Sequence, residues 1–65
     1  MYYIVKNLIH FNNQKKAAEE IGITPETLSR ILNGKVGTTK ITAYCITKYY
    51  NKDAEINNYF IREGE

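Results

Sequence analysis

The chain of 65 residues holds one cysteine, one proline, one histidine and no tryptophan. The lone Cys45 excludes an internal disulfide and leaves no cysteine cluster to bind a metal. It lies in an apolar helical stretch, which makes it a core side chain before a reactive thiol. His10 has no second histidine near it, so it reads as a surface or helix-end residue, not a ligand. Long hydrophobic runs are missing too: the apolar stretch at residues 2–5 is four residues, far short of a membrane span. With no targeting or secretory segment and one reduced thiol, a cytoplasmic protein is expected.

Catalytic furniture is also scarce. There is no glycine-rich phosphate loop, no serine or cysteine paired with a general base, and no metal-ligand spacing. Glu19 and Glu20 are adjacent, about 100° apart on a helix, so they do not converge as a carboxylate pair. The sequence therefore predicts no enzyme, no cofactor, no metal and no small-molecule ligand.

What is present fits one domain over residues 1–65 with a modest core. Apolar residues make up 43% and charged residues 25%, the balance of a globular chain. The net charge of +2 is unevenly spread. Residues 1–52 carry eight basic and three acidic side chains, whereas residues 53–65 carry one basic and four acidic. The body could face phosphate while the tail points elsewhere. A merely solvated surface would give the same counts, so charge alone decides nothing.

The most informative stretch is 13–34, NQKKAAEEIGITPETLSRILNG. Asn13 is a suitable N-cap for a helix over about 14–21, in which Ala17, Ala18 and Ile21 share a face. Gly22 follows where a left-handed residue can end that helix. Thr24 then caps a second helix with Pro25 at its first position, where a missing N–H is not needed. Leu28, Ile31 and Leu32 line its inner face, and Gly34 closes it. Glu26, Thr27, Ser29, Arg30 and Asn33 are left facing outward.

Two short helices about a glycine turn make a helix-turn-helix. Read in register, Gln14, Ala18, Gly22, Ile23, Leu28, Ile31 and Asn33-Gly34 give Q-x-x-x-A-x-x-x-G-I-x-x-x-x-L-x-x-I-x-N-G. This pattern resembles the Cro/repressor family, also called the XRE family, over about a third of the chain. The resemblance implies an all-α fold, a compact five-helix bundle with a lambda-repressor-like helix-turn-helix. It implies double-stranded DNA as partner and a small transcriptional regulator, a repressor of the phage or mobile-element type. Base contacts would come from Pro25, Glu26, Thr27, Ser29 and Arg30 at the start and outer face of the recognition helix. Glu can accept from cytosine N4, Arg can donate to guanine, and the Thr methyl can touch that of thymine. Phosphate contacts would come from Asn13, Gln14 and Thr24 at helix N-termini, and from Asn33, Lys35, Thr38 and Lys40 beyond the recognition helix. Pro25 and Glu26 stand where many relatives place Gln, Ser or Arg, and Arg30 is the one cation on that face. The competing expectation is a protein-binding module on the same fold, such as an antirepressor or an inhibitor of a host factor.

The remaining segments complete the expected bundle. Residues 2–11 carry apolar side chains three and four apart and predict a first helix, although their β-branched content would also suit a strand. Thr38 or Thr39 would cap a fourth helix to about Tyr50, with Ile41, Cys45 and Tyr49 as one core stripe and Thr42, Ile46 and Tyr50 beside it. Asp53 would cap a last helix bearing Ile56, Tyr59, Phe60 and Ile61, the candidate face of a homodimer, and 62–65 would fray.

Overall fold

Aromatic and β-branched side chains at both ends of the chain favour extended backbone, and both ends become strands. The computed structural model describes residues 1–5 and 9–63. Its order is β1 (Tyr2–Ile4), α1 (Gln14–Ile21), α2 (Pro25–Leu32), α3 (Lys40–Tyr50), α4 (Ile56–Tyr59) and β2 (Phe60–Arg62). β1 and β2 pair antiparallel, with Tyr2 opposite Arg62, Tyr3 opposite Ile61 and Ile4 opposite Phe60. The ladder runs past the strand ends: the N–H of Val5 donates to the Tyr59 carbonyl at 2.7 Å and that of Glu63 to the Met1 carbonyl at 2.8 Å.

This corrects the five-helix bundle: the described residues form four helices and a two-stranded sheet. The expected helix over 2–11 is replaced at its start by β1, whose backbone groups are satisfied across the sheet instead of along a helix. Residues 6–8 lie outside the described residues, as do 64 and 65 of the tail expected to fray. Arg62 belongs to β2.

The core gathers Ile4, Ile9, Leu28, Ile31, Ile46 and Phe60 around Ala17, Ala18 and Ala43. Three buried alanines, two on α1 and one on α3, let these two packed helices approach closely. The expected stripe of α3 is rotated. Ala43, Ile46 and Thr47 face inward, whereas Ile41 is 76% exposed and Tyr49 43%, with Cys45 half-buried. Tyr49 and Tyr50 still pack edge-on against Phe11, ring centroids 5.6 Å apart, and Tyr50 does the same against Tyr59.

The last helix is only one turn long. Glu55, not Asp53, caps it, in a capping box in which the Glu55 N–H donates to Asn58 Oδ1 at 2.7 Å. Phe60 leaves the helix for β2 and is 1% exposed. A partner cannot reach it, so Phe60 falls out of the expected dimer face. Among the described residues, no helix is long and apolar enough to cross a membrane.

Candidate nucleic-acid interface

Local rules place α1 and α2 where the sequence predicts them. Asn13 caps α1 by accepting from the Lys16 N–H at 3.0 Å. Gly22 ends it at φ +99°, and the N–H groups of Gly22 and Ile23 both donate to the Ala18 carbonyl. An L side chain at that φ would be strained. Ile23 packs against the core and pins the turn. Thr24, in extended backbone, caps α2: its hydroxyl accepts from the Thr27 N–H at 3.1 Å and donates to Thr27 Oγ1 at 2.8 Å.

α2 is amphipathic. Leu28 and Ile31 are buried, Leu32 is partly so, and Pro25, Glu26, Thr27 and Arg30 are exposed. Ser29 is half-buried, and its hydroxyl accepts from Asn33 Nδ2 at 3.4 Å. The five expected base-contact residues thus lie on one short helix, four of them exposed.

The chain leaves α2 through a Schellman motif: Gly34, at φ +76°, donates to the Ile31 carbonyl and Lys35 donates to that of Arg30, at 3.1 and 3.0 Å. This fixes Lys35 directly past α2. Thr39, the second of the two predicted caps, accepts from the Thr42 N–H and starts α3 at Lys40. Of the expected phosphate contacts, Asn13, Thr24, Asn33, Lys35 and Lys40 are exposed, and Gln14 is half-buried. Thr38 is a correction. It is 8% exposed and bridged to Tyr2, so its side chain is not offered to a ligand.

A groove of about 280 Å³ is lined by Tyr2, Lys40, Tyr44, Lys48, Glu55, Ile56 and Asn57, none of them on α2. No three His, Cys, Asp or Glu side chains gather to hold a metal among the described residues. A convex polar helix, one guanidinium and flanking lysines can hydrogen-bond base edges and phosphates. The sequence missed the neighbour of this surface, strand β1, whose one early signal was the aromatic and β-branched run at 2–5.

The family model for the helix-turn-helix matches residues 12–57, from just before α1 into α4. No curated protein and no solved structure matches the chain.

Proposed function

Because the chain belongs to the XRE family of helix-turn-helix proteins, DNA-binding transcription regulators and not enzymes, we propose that it is a sequence-specific repressor of the Cro type, of the kind that phages and mobile elements carry. α2 lies in the major groove. The observation that carries this reading is the outer face of α2, where Glu26, Thr27 and Arg30 are exposed beside Lys35. Arg30 reads guanine, Glu26 accepts from cytosine, and Pro25, Thr27 and Ser29 complete the contact with base edges. Asn13, Gln14, Thr24, Asn33, Lys35 and Lys40 hold phosphates. The N-termini of α1 at Gln14 and α2 at Pro25 add partial positive charge through their free N–H groups, which Glu26 in the first turn of α2 offsets in part.

One recognition helix covers only a few base pairs, so the protein acts as a two-fold dimer on half-sites about 34 Å apart. Ile61, 47% exposed, with the open parts of Ile56 and Tyr59, forms the paired surface. A mobility shift with fragments upstream of its own gene tests the function, and no specific shift at low salt would sink it. Glu26 and the single cation on α2 favour one rival, a protein-binding module. Salt separates the two, because binding through several phosphates weakens steeply as salt rises and partner binding through apolar surface does not.

A further inference from the structure

Strand β1 has two partners, one on each edge. β2 holds one edge, and on the other the Tyr2 N–H donates to the Thr38 carbonyl while the Thr38 N–H donates to that of Tyr2, both at 2.8 Å. Thr38 belongs to the loop 35–39 that joins the recognition helix to α3. The Tyr3 ring lies directly on the same loop. A Cβ placed at Gly37 would sit 2.8 Å from Tyr3 Cζ, 2.9 Å from Cε1 and 3.0 Å from Met1 Cβ. Gly37 is outside the left-handed region, so the chain needs glycine here for space and not for backbone conformation.

We infer that β1 is a strap that holds loop 35–39 in its DNA-gripping shape, with Tyr3 and Gly37 as its positioning residues. The Schellman motif at Lys35 and the Thr39 cap fix the two ends of the loop. The middle is fixed from β1, through the Tyr2–Thr38 pair and the ring on Gly37. Without the strap, Lys35 and Lys40 keep their charges and their local anchors, but the loop between them no longer holds the two at one separation, and the grip on phosphate loses its geometry. The strap rests on the reading of Lys35 and Lys40 as phosphate contacts.

The test uses the full chain as wild type, Gly37→Ala, Tyr3→Ala and Tyr3→Phe. Two quantities are measured: affinity for an operator fragment and for an unrelated duplex across a salt series, and hydrogen exchange at the amides of Thr38, Leu28 and Ile31. Tyr3→Phe keeps the ring carbons that touch Gly37 and should match wild type. Gly37→Ala and Tyr3→Ala should each lose protection at Thr38 while keeping it at Leu28 and Ile31. Both should bind the two duplexes roughly 3- to 10-fold more weakly, with a salt slope lower by about 1, the mark of one lost phosphate contact. A Gly37→Ala protein that loosens Thr38 yet keeps wild-type affinity and slope overturns the strap, and so does one in which Thr38 stays protected. A wild type that binds neither duplex refutes the DNA reading itself and the strap with it, an outcome read from the wild type alone.

Discussion

The helix-turn-helix and the two chain ends are built by different means. Within 13–34 every decision is local: Asn13 and Thr24 cap, Pro25 starts, Gly22 and Gly34 stop, and each acts on a residue five or fewer positions away. At the ends the decision is remote. Tyr2 finds Arg62, Ile4 finds Phe60, and each strand has only three residues of pattern to announce the other. The lesson is that reach along the chain separates what a sequence shows on inspection from what only assembly reveals.

The strongest way to break that comparison is to empty the core from each side. Phe60→Ala, in the remote region, should cost about 3–5 kcal/mol, and Leu28→Ala, in the local region, about 2–5 kcal/mol. A domain of this size holds only about 3–10 kcal/mol in all, so urea denaturation should find both proteins largely unfolded. A mild Phe60→Ala would mean that the sheet is an accessory to the fold. Next comes Arg30→Ala, which should leave the urea midpoint unchanged while removing about 1–3 kcal/mol of preference at one base pair. Equal weakening on every sequence, measured by competition binding, would reassign Arg30 to phosphate.

Smaller effects sharpen the contrast. Thr24→Ala removes a local cap and should lower stability by about 1 kcal/mol. Thr47→Val should do the reverse. Its hydroxyl is fully buried on α3 with no hydrogen-bond partner among the described residues, so a side chain of the same shape without it should raise the denaturation midpoint by about 1 kcal/mol. Ile41→Ser, on the outward stripe of α3, should change stability by less than about 0.5 kcal/mol. A large loss there would restore the Ile41–Cys45–Tyr49 stripe as packing surface.

These contrasts explain which parts were legible. Both helices of the motif were readable to within a residue, because caps and stops are short-range chemistry. Of the side chains expected to touch DNA, those on and around α2 are mostly exposed, with Gln14 and Ser29 half-buried and Thr38 buried. The first segment misled because 2–11 is apolar at helical and strand spacings alike, and its choice is made by hydrogen bonds to residues about 60 positions away. α3 misled for a different reason. Its apolar side chains spread over more than one stripe, and periodicity alone does not say which of them turns to the core. Phe60 misled because i, i+3, i+4 spacing from Ile56 cannot tell that the helix ends after one turn.

The meeting of the two ends governs the order in which the molecule comes together. Closing a loop of about 60 residues costs on the order of 3–4 kcal/mol in chain entropy, more than a three-residue ladder can offset alone. The helical hairpin must therefore shorten the distance first, and the sheet zips up last. In reverse, the sheet opens first, and Thr38 is released with it. With loop 35–39 against DNA, as proposed, bound operator should slow that first opening, and a protease given time would find the ends of an idle molecule before those of a working one.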